Sequence, residues 1–254
     1  MFYSNQRSVQ FAKNNHNRYW WHRTEGCDYA PLIYSALDKE EWDLMALWFE
    51  DSEKNYHSTG EAGVPPISFL IGLITGNGIY RIVQCGHYIG YSSLMLGFYL
   101  RKMNKKHAVY SIDIDPKVTS YSQGWLEKAE LDDYVRLSVN DSASAHEAVL
   151  AEAYLQGQPQ LVFIDSSHQY KHTLEELELW YSRVVPGGFI ALHDTSVFAK
   201  SFDSSNGGVG KAVDEWSLKN NIQKININGF VTGGKPGDYP YLDGCGLTLI
   251  QKAI

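Results

Sequence analysis

The chain has 254 residues, 44% hydrophobic and 13% aromatic, enough for the core of one large α/β domain. A net charge of −7 argues against a polyanionic partner, so nucleic-acid binding is set aside. No apolar stretch is long enough to cross a bilayer and no signal-like run opens the chain, so no membrane role is expected; three widely spaced cysteines, Cys27, Cys85 and Cys245, fit a reducing compartment such as the cytoplasm.

Residues 1–55 read as a helical extension. They carry an aromatic segment with Tyr19, Trp20 and Trp21, then one helix announced by Asp38 and Glu41 at capping-box spacing, with Leu37, Leu44, Met45 and Trp48 along one face. The extension is expected to pack on the core, or to serve as a lid or as the arm of a homodimer. From Tyr80 onward, apolar runs at 80–85, 108–112, 134–139, 160–164 and 188–192 alternate with helical segments, at intervals of about 25 to 28 residues. Continuous runs such as LVFI and FIAL suit strands buried on both faces. A helix with a second capping-box pattern, Thr173 and Glu176, precedes the last of these runs and stops at Pro186-Gly187-Gly188. KININGFVT and CGLTLIQ read as an antiparallel pair finishing the sheet. The expectation for residues 56–254 is a doubly wound, Rossmann-like α/β domain of seven strands, mostly parallel, with an antiparallel C-terminal strand.

Polar residues end four of the apolar runs: Gly86, Asp113, Asp165 and His193-Asp194. In an open parallel sheet, ligands bind outside the carboxyl ends of the strands, so these residues point to one cleft. In the run Gly86-His87-Tyr88-Ile89-Gly90-Tyr91-Ser92, Tyr88 stands where a dinucleotide fingerprint has its middle glycine. A bulky residue there obstructs a pyrophosphate, which disfavours a nicotinamide enzyme. The helix N-terminus after Gly90, with the Ser92 hydroxyl, can hold a carboxylate, and an acid at Asp113 can accept from ribose hydroxyls. S-adenosylmethionine (SAM) meets all three demands: a carboxylate, a ribose and no pyrophosphate.

The order GEAG, IVQCGHYIGYSS, VYSIDIDP, LDDYVRLSVNDS, LVFIDSSHQY, VVPGGFIALHDT and GVGKAVDEW resembles the class I SAM-dependent methyltransferases over about residues 56–254. Within them it is similar to the branch with catechol O-methyltransferase-like and bacterial small-molecule and sugar O-methyltransferases. The resemblance implies that Gly86, Tyr88, Gly90 and Ser92 cradle the methionine moiety, that Asp113 binds the ribose, and that Ser142 and Ser166 lie at the adenine. It places Asp165 facing the cofactor and, in metal-dependent members, a magnesium or other divalent ion, with Asp194 and either His193 or Thr195 completing the metal site. His168 falls where relatives place the residue that takes the acceptor's proton. Two positions depart from the pattern. Gln84 replaces a common acid, and His193 brings an imidazole that suits zinc, iron or nickel better than magnesium.

Methyl transfer is an in-line displacement, so the enzyme's main task is positioning, with the acceptor made nucleophilic by proton removal. A hydroxyl acceptor needs a base or a cation that lowers its pKa. His168, with an unperturbed pKa of about 6.5, is the candidate base and Asp165 its catalytic neighbour, whereas His172 reads as structural. The expected activity is methyl transfer from SAM to a hydroxyl of a small natural-product or saccharide intermediate. Two alternatives share the cleft: SAM binding without turnover, and metal-dependent hydrolysis or hydroxylation.

Overall fold

The computed structural model describes residues 31–56, 60–233 and 240–254. Tyr19, Trp20, Trp21 and Cys27 lie outside the described residues. Among the described residues, no helix is long and apolar enough to cross a membrane.

A helical turn, α1 (Leu32–Ser35), and helices α2 (Lys39–Asn55) and α3 (Val64–Asn77) precede the sheet. Then β1 (Ile82–Cys85), α4 (Tyr91–Lys102), β2 (Val109–Asp113), α5 (Pro116–Lys128), β3 (Val135–Val139), α6 (Ala145–Leu155), β4 (Leu161–Ile164), α7 (Tyr170–Arg183) and β5 (Phe189–His193) alternate. A 3₁₀ segment (Phe198–Asp203), α8 (Gly208–Lys219), β6 (Lys224–Ile227) and β7 (Leu247–Gln251) complete the chain. The seven strands lie in the order β3-β2-β1-β4-β5-β7-β6. The pairs from β3 to β5 are parallel, and β7 runs antiparallel to both β5 and β6. Both the alternation and the reversed final strand match the expectation from the sequence.

The strands β1 and β4 are buried at every residue, as unbroken apolar runs require, and separate clusters pack on the two faces of the sheet. On one face, α2 joins the same cluster as β1 and α4 through Trp42, Met45, Trp48 and Phe49. Its start is the expected capping box: the Asp38 side chain accepts from Glu41 N, and Asp38 N donates to Glu41. Trp48 is fully buried and donates its Nε1–H to the carbonyl of Ile89 at 3.0 Å, and the Tyr34 and Tyr91 hydroxyls meet at 2.6 Å. Full burial of such a ring contributes about 2–3 kcal/mol, so α2 buttresses the turn after β1.

The second capping-box expectation fails. Helix α7 starts a turn earlier, with Gln169 at its N-cap, and Thr173 Oγ1 donates to the Gln169 carbonyl from inside the helix. Glu176 is drawn instead to serines on two neighbouring loops. A local pattern loses here to tertiary partners that the sequence does not display.

Candidate active site

Register builds the site. Cys85 is level with both Ile112 and Ile164, and Ile164 is level with Leu192. The next residues, Gly86, Asp113, Asp165 and His193, therefore emerge in one row along the carboxyl edge of the sheet. The chain moves outward from β1 to β3 and then returns to β4 beside β1, so the loops after β1 and β4 diverge and leave a crevice at this switch point. A cleft of about 420 Å³ opens there, lined among others by Gly86, Tyr88, Asp113, Ser142, Asp165, Ser166 and His168.

Gly86 has φ +84°, and a Cβ on it would lie 2.0 Å from the Asp165 carbonyl oxygen, so only glycine lets the two strand tips approach. Tyr88, also at positive φ, puts its ring beside those of Tyr56 and Gly60's backbone at the cleft wall. Asp113 anchors the turn: Oδ2 accepts from the backbone N–H groups of His87 and Tyr88 at 3.0 and 2.9 Å, and Oδ1 from that of Asp115 at 3.0 Å. Both lone pairs of Oδ2 are thereby taken, and Oδ1 keeps one for a ligand. Gly90 and Ser92 are not in the cleft lining. Gly90 packs against Ser122, and Ser92 is buried with its hydroxyl 2.6 Å from Gln84 Nε2. Gln84 also donates to the Gly86 carbonyl and accepts from Ser93, so the amide that replaces the common acid braces the turn from behind.

His87 faces away from the cleft, with its ring nitrogens 3.0 Å from Ser111 Oγ and 3.0 Å from Thr119 Oγ1. Burial pulls its pKa down to about 4, against the pull of Asp113. Between pH 6.5 and about 4 the unfolded chain takes up a proton that the folded chain refuses. The stability present above pH 6.5 is therefore lost as the pH falls, by up to about 3 kcal/mol. Urea denaturation of wild type and of His87→Asn across this range is expected to give the variant the flatter profile.

At the β4–β5 end, three carboxylates and two imidazoles converge. His168 Nε2 stands 3.0 Å from Asp194 and 3.7 Å from Asp165. His193, buried, lies between Asp165 at 3.1 Å from Nδ1 and Asp243 at 3.0 Å from Nε2. Burial opposes the charge on both rings, but the surrounding carboxylates prevail: His168 is raised to about 10 and His193 well above its ordinary value. In turn, the two imidazoles hold Asp165 and Asp194 below the usual carboxylate range despite burial. The two carboxylates thus favour the protonated form of His168, which the residue type alone does not reveal. His168 and Asp194 both sit at positive φ, 58° and 59°. Strain of about 1–3 kcal/mol at such residues clusters at functional sites.

The metal-ligand expectation needs one correction. Both ring nitrogens of His193 are occupied by carboxylates, so it supports Asp165 from behind, and the group able to surround an ion is Asp165, His168 and Asp194, whose ligand atoms lie within 4.8 Å of one another. Thr195 is buried, and its hydroxyl finds no hydrogen-bond partner among the described residues. By sequence, Asp243 is a tail aspartate within reach of the acceptor but without a motif or an assigned role; it arrives from the β6–β7 connection to pair with His193, and Glu176 was misread.

The seven-stranded sheet with a reversed β7, a glycine turn after β1 and an acid at the tip of β2 make up the doubly wound, Rossmann-like architecture expected from the sequence. A family model described as a methyltransferase domain matches residues 83–195. Among solved structures, the chain is similar to the O-methyltransferase from Bacillus cereus in complex with S-adenosylhomocysteine (SAH), with 15% identity, 85% of this chain and 91% of that one covered, and a TM-score of 0.60. It is similar to the O-methyltransferase TomG from Streptomyces achromogenes, involved in tomaymycin synthesis and in complex with SAM, with 16% identity, coverage of 86% and 91%, and a TM-score of 0.60. The SAH-bound methyltransferase PaMTH1 from Podospora anserina gives 19% identity, coverage of 97% and 94%, and a TM-score of 0.57. At these identities the likeness is one of fold. No curated protein sequence matches the chain.

Proposed function

We propose that this protein transfers a methyl group from SAM to a hydroxyl of a small molecule, a natural-product or saccharide intermediate. The observation that carries the reading is the row of strand tips, which sets Gly86, Tyr88 and Asp113 on one side of a single cleft and Asp165 and His168 on the other. The free lone pair of Asp113 Oδ1 accepts from a ribose hydroxyl, Gly86 and Tyr88 line the methionine side, and Ser142 and Ser166 face the base.

Asp165, His168 and Asp194 form the acceptor end. Two carboxylates and one imidazole from the loops after β4 and β5 fit a divalent cation, and this mixed oxygen–nitrogen set suits manganese, iron or zinc as well as magnesium. A bound cation would lower the pKa of the acceptor hydroxyl. His168, whose Nε2 faces two carboxylates, serves in this reading as a ligand through that nitrogen more than as a free base, and Asp243 holds His193 so that Asp165 keeps its orientation. The aromatic N-terminal segment supports a homodimer and the sparse cysteines a cytoplasmic setting.

Calorimetric titration with SAH tests the cofactor reading. Asp113→Ala removes the ribose acceptor together with the anchor of the glycine turn, and is expected to weaken binding by about 2–3 kcal/mol, the scale of hydrogen bonds to a charged group. Wild-type protein that binds no SAH, or a variant that binds it as well as wild type, sinks the assignment. Release of SAH from SAM in the presence of hydroxylated acceptors, absent without them, separates turnover from simple binding.

A further inference from the structure

Beneath the cleft lies a carboxyl group that the transfer chemistry does not use. Glu176 on α7 is fully buried, and its two oxygens accept from Ser142 Oγ at 2.5 Å and from Ser166 Oγ at 2.9 Å. The serines come from the loops after β3 and β4, and both line the cleft. Their surroundings are braced as well. Trp180 Nε1 donates to the Ser142 carbonyl, and His172 stands 3.5 Å from Glu176 while pairing with Asp141 at 2.9 Å. Burial pushes the Glu176 carboxyl up, whereas His172 and the two serine hydroxyls favour its ionised form.

A serine hydroxyl has one proton and two lone pairs, and a carboxylate only accepts. Each serine therefore directs its proton down to Glu176 and turns lone pairs toward the cleft. We propose that Glu176 is a positioning residue that sets the hydrogen-bond polarity of the base-binding end of the cleft, so that Ser142 and Ser166 select a purine bearing an exocyclic amino group over one bearing an oxo group. An amino group donates into the waiting lone pairs. A 6-oxo group meets them acceptor against acceptor, and a polar pair left unmatched in a buried site costs more than a matched pair contributes. This inference rests on the cofactor reading above.

The test compares SAH with S-inosylhomocysteine, its 6-oxo counterpart, by calorimetry on wild type, Glu176→Gln and Ser166→Ala. Wild type is expected to bind SAH at least about tenfold more tightly, the factor one such hydrogen bond supplies. In Glu176→Gln the new amide donates to one serine, whose own proton then turns into the cleft, and the preference is expected to shrink to about twofold or to reverse. Ser166→Ala is expected to lower SAH affinity and narrow the preference without reversing it. Equal weakening of both ligands in Glu176→Gln, with the ratio kept, would make Glu176 a purely structural residue and overturn the proposal. Equal binding of the two by wild type overturns it even if the glutamine variant does not fold. Wild type that binds neither ligand overturns the cofactor reading itself.

Discussion

Gly86→Ala is expected to destabilise the protein by about 3 kcal/mol or more and to reduce SAH binding at least about 100-fold. The added Cβ would stand 2.0 Å from the carbonyl oxygen of Asp165 and 2.9 Å from Cα of Ser166, and both obstacles are backbone. No side chain can swing aside. The backbone N–H of Asp165 is also bonded to the Cys85 carbonyl at 2.8 Å, so relief requires the tips of β1 and β4 to part, which breaks that bond and moves Asp165. The conformation adds its own cost, because φ +84° is a region that alanine disfavours. Gly124 in α5 is the control: a Cβ there meets nothing within 4 Å, so Gly124→Ala should leave SAH binding unchanged and stabilise by about 0.5–1 kcal/mol. Urea denaturation and calorimetry of both variants check the contrast. A Gly86→Ala protein that binds SAH like wild type would refute the geometry on which the cleft depends.

Asp165→Asn is expected to lower methyl transfer about 1,000-fold and to weaken Mn²⁺ binding about 10- to 100-fold, with a smaller effect on SAH affinity. The substitution preserves size but removes the charge shared by two imidazoles, His193 at 3.1 Å and His168 at 3.7 Å. His193 then lies buried with one partner fewer, and removing one member of a buried ion pair typically costs about 3–5 kcal/mol. The measurement is Mn²⁺ titration followed by paramagnetic resonance, beside SAH-release kinetics with added divalent ions. An Asp165→Asn variant that keeps its full metal response would eliminate the ligand role proposed for this carboxylate. His193→Gln gives a complementary result: it is expected to lower activity and to weaken Mn²⁺ binding less than Asp165→Asn does, since His193 acts through Asp165 and Asp243 and not on the ion itself.

Much of the cleft was legible because its residues fall next to strand ends. Gly86, Asp113, Asp165 and the His193-Asp194 pair each follow an apolar run, and the rule that ligands collect at the carboxyl edge needs only the run and the residue after it. Tyr88 in place of a glycine narrowed the ligand class by sterics alone. Less was legible where roles depend on partners far away in the chain. Ser92 looked like a ligand group by position, yet it is claimed by Gln84 behind the turn. His193 looked like a metal ligand by adjacency to Asp194, yet Asp165 and Asp243 occupy both its nitrogens. Glu176 sits at capping-box spacing from Thr173, yet a helix that begins at Tyr170 turns it inward to two serines.

By itself, the sequence determined the alternation of strands and helices, the reversed last strand and the edge of the sheet that carries the chemistry. These follow from hydrophobic periodicity and from backbone sterics, which act over neighbouring residues. Tertiary structure alone decided which polar atoms remain free to meet a ligand. A histidine between two carboxylates and a serine over a buried glutamate receive their protonation and polarity from residues on other strands and loops, and that pairing is set by sheet order and register.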